Sequence, residues 1–204
     1  MALTPPPPAA IVIAGGRSTR FGSDKLLAEV GGRTLLERTM RAVSACAPIV
    51  LVSGADASVT SGVVAVSEYP RWGGPCAAIA AGLAPLGSDV DDALILAADL
   101  AHPEAAVAAL LAIGSGVLAD RSGQPQWLLA RTPVAALRDR VAELEAAGGA
   151  AGRPARAIIG ELGLRLVAAD ADAIADIDVP DDLDQTAQTG RRRPDDADQM
   201  TSTE

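Results

Sequence analysis

Short apolar runs alternate with amphipathic stretches along this chain. Residues 10–14, 49–52, 63–66, 94–98, 117–119, 126–130 and 164–167 are apolar runs of strand length, predicted as strands. Between them lie helical patterns. Thr34 is placed as a helix N-cap with Glu37 as its capping-box partner, and Leu35, Leu36, Thr39, Met40 and Val43 follow at helical spacing. Residues 76–83 are small and apolar, which predicts a buried helix, and residues 104–111 predict another. Residues 133–145 put Val134, Leu137, Val141 and Leu144 on one helix face. A further helix is expected over 155–162, a short extended piece over 175–179, and a last turn from Asp181 to Gln185. Residues 26–32 read as a short extended piece and a turn, and Arg121-Ser122-Gly123 as a hairpin turn. Residues 68–75 are a loop by every breaker rule. Strands alternating with helices predict an α/β fold with a parallel sheet between helix layers. Ligands of such sheets bind beyond the carboxyl ends of the strands.

Composition narrows the class. The 204 residues suit one domain, expected over 9–187, with a proline-rich lead-in at 1–8 and a charged, disordered tail at 188–204. Aromatic residues make up 2% of the chain, so the core must be built from small aliphatic contacts. A net charge of −9 argues against nucleic acid as the main partner. The triplet Arg191-Arg192-Arg193 runs straight into Pro194, Asp195 and Asp196 and makes no basic patch. Cys46 and Cys76 have no ligand spacing and there is one histidine, so a zinc site is not expected; both thiols read as core residues in a reducing cytoplasm. No run of 18 apolar residues is present, and no basic region leads into an apolar stretch at the start. Neither a membrane span nor a secretory leader is expected.

Chemistry is densest at residues 11–25, IVIAGGRSTRFGSDK. A buried strand here feeds a glycine-containing loop that carries Arg17, Arg20, Asp24 and Lys25. Glycine lets backbone N–H groups approach an anion, and the cations neutralise its charge. Gly16 and Gly22 do not match the P-loop in spacing or order, and Gly15-Gly16-Arg17-Ser18-Thr19-Arg20 does not supply a dinucleotide fingerprint. Asp99 follows the apolar run 94–98, where a carboxylate is costly unless it is paired or holds a metal. A role as N-cap for the helix after Pro103 would require it several residues later. The first loop, Ser53 and Asp99 all follow predicted strands, so they converge on one edge of the sheet.

The first loop resembles the signature of nucleotidyltransferases, roughly Leu-Ala-Gly-Gly-x-Ser-x-Arg-Phe/Met-Gly-x-x-Lys. Ala14, Gly15, Gly16, Ser18, Arg20, Phe21, Gly22, Asp24 and Lys25 are in register with it. Gly-x-Asp-Lys is most similar to the molybdenum cofactor guanylyltransferases. The likeness runs from Ile11 to about Leu183 and is weakest between 120 and 165. It implies a three-layer Rossmann-like nucleotidyltransferase domain with a mostly parallel central sheet. It also implies transfer of GMP from GTP to the phosphate of a molybdopterin-type cofactor, with Mg²⁺ and release of pyrophosphate. A molybdoenzyme or its chaperone would be a partner. The alternatives are a cytidylyltransferase, another nucleotidyltransferase with a different phosphorylated acceptor, and a nucleotide-binding protein without catalysis.

The resemblance assigns roles. Arg20, Lys25 and Asp99 are the catalytic set. Ile13, Ala14, Gly15, Gly16, Lys25, Ser53, Glu68, Gly74 and Asp99 hold the nucleotide, with the loop amides of 14–16 as its cradle. The family places a metal-binding aspartate at Asp99, usually as Asp-x-Pro; here the proline is displaced to Pro103. Gly74-Pro75-Cys76-Ala77-Ala78-Ile79 resembles Gly-Pro-Leu-Ala-Gly-Ile, with Ala78 at the second glycine. The family's Glu-Asp pair, whose aspartate helps read guanine, is Glu68-Tyr69 here. Tyrosine cannot accept from the base as a carboxylate does, which leaves Glu68 to take its place. Ser53 stands where an asparagine is frequent. Asp176-Ile177-Asp178-Val179-Pro180 resembles Asn-x-Asn-Thr-Pro, with Asp178 as the metal candidate and Asp176 second; the other reading is an acidic helix start. His102 has no role, because a phosphate nucleophile is already ionised. Trp127 stands either on an acceptor ring or in the core.

Overall fold

A computed structural model of the chain describes residues 6–15, 25–53 and 62–177. Strands β1 (Ala9–Ile13), β4 (Ile49–Val52), β5 (Val63–Val66), β6 (Asp92–Ala97), β7 (Gly116–Ala119), β8 (Pro125–Pro133) and β9 (Leu166–Ala168) form one sheet, ordered β5-β4-β1-β6-β8-β7-β9. β1 pairs in parallel with β4 and β6, β4 with β5, and β7 with β9. β8 alone runs against its neighbours and sits between β6 and β7. The expected hairpin over 121–123 joins β7 to β8. The Asp120 carboxylate accepts from the backbone N–H groups of Ser122 and Gln124 and from the Ser122 hydroxyl, which stops the chain and turns it back.

The strand pleat sorts the core into two faces. Ala9, Ile11 and Ile13 of β1 pack on one side with α2 (Gly74–Leu83), α4 (Val134–Ala146) and α5 (Arg156–Ile159). Ala10 and Val12 pack on the other, with α3 (Pro103–Ile113) and residues of α1 (Leu35–Ala42). The result is the three-layer α/β arrangement that the alternation predicted, with one departure: the alternation implied a parallel sheet, and β8 makes it mixed. α2 is apolar around its whole circumference because it is buried against the sheet. Its approach is close at Gly82, where a Cβ would collide with Ile11 Cγ2.

The capping box forms as read from the sequence. The Glu37 N–H donates to Thr34 Oγ1 at 3.1 Å, and the Thr34 N–H donates to Glu37 Oε2 at 2.9 Å. Just before it, β2 (Glu29–Val30) and β3 (Arg33–Thr34) make a small hairpin through Gly31 and Gly32. Both glycines have positive φ, 63° and 77°, as the tight hairpin turn demands. The helix expected over 155–162 is cut to one turn at Gly160. Residues 126–130 are the middle of a longer strand, which ends at Pro133 as α4 begins. The one-turn helix α6 (Ala171–Ile174) was not anticipated, because four residues carry no readable period.

Cys46 and Cys76 are buried free thiols. Among the described residues, no helix is long and apolar enough to cross a membrane. The expected turn at Asp181 to Gln185 and the tail from 188 lie outside the described residues, as does most of the proline-rich lead-in.

Candidate active site

Three neighbouring parallel strands end together. Ile13 is opposite Val52 on one side and Ala97 on the other, so Gly15, Ser53 and Asp99 follow the carboxyl ends of β1, β4 and β6. Two backbone hydrogen bonds continue the sheet past these ends, from the Ala14 N–H to the Val52 carbonyl at 2.8 Å and from the Ala98 N–H to the Ile13 carbonyl at 3.0 Å. The first corrects an expectation. The amide of Ala14 belongs to the sheet and is not available to an anion. Gly16 and Arg20 lie outside the described residues.

Lys25 opens a short 3-10 turn, Lys25–Leu27, and is buried. Its Nζ donates to Asp99 Oδ2 at 2.9 Å. These residues are 74 positions apart in sequence and meet just past the end of β6. The Asp99 side chain remains 32% exposed, against 11% for Lys25. Asp99 is not a helix cap: the N-cap position of α3 belongs to His102, whose side chain makes no capping bond. Segment 175–177 is laid beside Asp99. The Ile177 N–H donates to the Asp99 carbonyl at 3.0 Å, the Ala101 N–H donates to the Ala175 carbonyl at 2.8 Å, and Asp176 bridges Leu100. The acidic run therefore reaches the end of β6, with Asp176 exposed; Asp178 lies outside the described residues.

A cavity of 570 Å³ opens on the α2 side of the same edge, within the ordinary size of a small-molecule site. Ile13, Gly15, Glu68 and Gly74 line it. Glu68 is 5% exposed, and its Oε2 has no hydrogen-bond partner among the described residues. A buried carboxylate oxygen without a donor is costly, and an arriving ligand with N–H groups relieves it. Glu68 also stands against Gly15, where an added Cβ would lie 3.4 Å from Oε1. Tyr69, next in sequence, is 93% exposed. Ser53 is buried in the sheet edge. Its N–H donates to the Val66 carbonyl, and its own carbonyl accepts from the Ser67 hydroxyl. Ser53 is not among the residues lining the cavity.

Sequence reasoning missed Arg71, Trp72 and Leu128; together with Pro75 and Ala78 of the motif that starts at Gly74, they complete the cavity wall. A signal was present: the chain has two tryptophans, one tyrosine and one phenylalanine, and Tyr69 and Trp72 share one loop. Trp127, read from the sequence as either a stacking or a core residue, packs partly buried against the core cluster.

As a metal site the residues fit a hard cation held openly. Among the described residues no group of three or more His, Cys, Asp or Glu side chains could enclose an ion. Asp99 is one oxygen donor, partly open to water. Mg²⁺ takes one or two carboxylates and fills its other positions with phosphate oxygens and water.

Residues 10–166 match the family described as the MobA-like NTP transferase domain. Among solved structures, 4-diphosphocytidyl-2C-methyl-D-erythritol synthase from Anaerococcus prevotii is 15% identical with a TM-score of 0.66, covering 92% of this chain and 97% of its own. The 2-C-methyl-D-erythritol 4-phosphate cytidylyltransferase from Thermus thermophilus is 21% identical with a TM-score of 0.61, covering 92% and 100%. Molybdopterin-guanine dinucleotide biosynthesis protein A from Archaeoglobus fulgidus is 20% identical with a TM-score of 0.62, covering 89% and 98%. At these identities the likeness is one of fold. A search of curated protein sequences returned no match.

Proposed function

Because the chain belongs to the MobA-like NTP transferase family and is a nucleotidyltransferase, we propose that it moves GMP from GTP to the phosphate of a molybdopterin-type cofactor. Pyrophosphate leaves, and the cofactor passes to a molybdoenzyme or its chaperone. The observation that carries the reading is the Lys25–Asp99 pair, 2.9 Å apart at the strand ends beside Gly15. Nucleotidyl transfer depends on positioning and on charge stabilisation, and a cation beside a carboxylate able to hold a metal supports that reading. Lys25 and Arg20 hold the triphosphate and stabilise charge as the bond to pyrophosphate breaks. Gly15 and Gly16 let the backbone approach the phosphates, because no Cβ intervenes. The acceptor phosphate attacks directly, so no side chain serves as nucleophile and no proton must be removed. When bound, Mg²⁺ would neutralise phosphate charge and orient the leaving group, with Asp99 as its ligand and Asp178 or Asp176 as a second.

Glu68 supports the choice of GTP. Guanine presents two adjacent N–H donors on one edge, and a carboxylate accepts both. Cytosine and adenine set a ring nitrogen acceptor beside their amino group, and uracil flanks its one N–H with carbonyls. A buried acceptor pair therefore favours guanine and disfavours the others. A cytidylyltransferase is the second reading. It is favoured by the exposure of Tyr69, which removes that residue from the place of the family's guanine-reading aspartate.

Thermal stability with Mg²⁺ and each of GTP, CTP, ATP and UTP tests this. A ligand at a hundredfold excess over its Kd adds about 2.7 kcal/mol to the native state. That amounts to a rise of roughly 5–10 °C for a chain of this size. A shift with GTP alone is expected. A shift with CTP alone replaces guanine by cytosine within the same chemistry, and no shift with any of them removes the nucleotide site.

A further inference from the structure

We infer that Trp72, backed by Arg71, is a stacking wall for the nucleobase whose edge meets Glu68. This rests on the nucleotidyltransferase reading of the cavity and adds to it a residue that determines base affinity. Trp72 and Arg71 line the same cavity as Gly15 and Glu68. Trp72 is 43% exposed, so part of a large aromatic ring is left uncovered in the cavity wall. The Arg71 guanidinium lies 5.1 Å from the indole centroid, over one face of the ring. That contact is a cation–π pair, and it leaves the opposite face for a planar ligand.

The backbone makes the same point. Trp72 has φ of 65° and is the one non-glycine residue with positive φ among the described residues. A bulky side chain rarely occupies that region, while glycine or asparagine sits there without difficulty. The conformation is imposed by the turn around it. The Gly73 N–H donates to the Pro70 carbonyl at 2.8 Å. A Cβ on Gly73 would lie 2.7 Å from the Pro70 oxygen and 2.8 Å from Ala77 Cβ, so the turn is seated tightly on the first turn of α2. Nothing in the backbone calls for tryptophan at 72; the indole accounts for its own presence. Strained residues of this kind gather at ligand sites.

The two sides of the cavity then have complementary chemistry. Glu68 is buried, and its Oε2 lacks a donor among the described residues. Trp72 offers a π face. One ligand satisfies both: a flat heteroaromatic ring with N–H donors along its edge. An aliphatic phosphate or inorganic triphosphate satisfies neither; a sugar brings hydroxyl donors for Glu68 but no flat π face to lie parallel to the indole.

Isothermal titration of the full chain with Mg²⁺–GTP, and separately with Mg²⁺–tripolyphosphate, tests this in wild type, Trp72→Ala and Trp72→Phe. Stacking of a base on an aromatic ring corresponds to a loss of about 5- to 150-fold on truncation. Trp72→Ala should therefore weaken GTP by that factor. Trp72→Phe should restore most of it, tripolyphosphate should bind all three proteins alike, and the melting temperature should be preserved. In a Trp127→Phe background, GTP should also change the fluorescence of Trp72. Unchanged GTP affinity in Trp72→Ala overturns the inference while leaving the transferase reading intact. An equal loss for tripolyphosphate overturns it too, by placing the ring's effect on the phosphates. A wild type that binds neither ligand defeats the transferase reading itself.

Discussion

Replacing Lys25 by methionine should separate catalysis from stability by a wide margin. The change keeps most of the buried stem and removes the cation that meets Asp99 at 2.9 Å. The stability cost is limited by water. Asp99 is 32% exposed and can be solvated once its partner is gone, so the pair is treated as partly screened and contributes about 1 kcal/mol or less. For a chain of this length that corresponds to a fall in Tm of about 2–4 °C. The catalytic cost should be larger. A preorganised charge aimed at the developing transition state contributes about 10²–10³ in kcat, or roughly 3–4 kcal/mol. Asp99→Asn should lose a similar factor, because it keeps the shape and removes the charge. The double variant should lose less than the product of the two, since both groups act on the same phosphates. Pyrophosphate release under saturating GTP measures the rates, and urea denaturation measures the stabilities. If Lys25→Met lost several kcal/mol of stability while its folded fraction kept the wild-type kcat, the pair would be a structural strut and the mechanism would fall.

Glu68→Gln should raise the stability of the ligand-free protein by about 1 kcal/mol, by removing a buried charge with an unpartnered oxygen. The same change should weaken GTP about tenfold to a hundredfold, since an amide offers only one acceptor to guanine's two donors; a stability loss with unchanged affinity would contradict the assignment. Thr34→Ala should cost about 1 kcal/mol in urea denaturation by breaking the capping box, with no effect on nucleotide binding. Burial raises the pKa of both thiols above the ordinary 9.0, most of all by desolvation. The folded state thus keeps protons that the unfolded chain releases. This contribution is whole below pH 9.0, declines as pH rises past it towards the raised values, and is reduced in Cys46→Ala and Cys76→Ala variants. Thiol reagents at pH 8 should modify neither cysteine until the protein unfolds.

Much of this was legible in local chemistry. The Thr34 and Glu37 capping box, the first strand and the apolar run before Asp99 depend on near neighbours in sequence: the box formed as read, and the strands expected over 10–14 and 94–98 formed slightly earlier, at Ala9–Ile13 and Asp92–Ala97. What depended on distant pairing was not legible. The hairpin turn at 121–123 signals that β8 runs against β7, but nothing in residues 125–133 reveals that their other edge pairs with β6, because an apolar strand can pair with either neighbour in either direction. The meeting of Lys25 with Asp99 needed the fold. So did the burial of Glu68, which stands in a segment that breaker residues mark as loop and therefore as surface. The amide of Ala14 was assigned to the ligand because strand ends look alike in sequence, whether their last N–H faces a neighbouring strand or a phosphate.

The most direct test supplies the complete reaction: the purified chain, Mg²⁺, GTP and molybdopterin-type cofactor, with the products resolved by mass. The expected products are a guanine dinucleotide of the cofactor and an equal amount of pyrophosphate, neither of which forms with Asp99→Asn at a comparable rate. A dinucleotide formed from CTP and not from GTP, or GTP bound with no transfer to the cofactor, would contradict the proposed function.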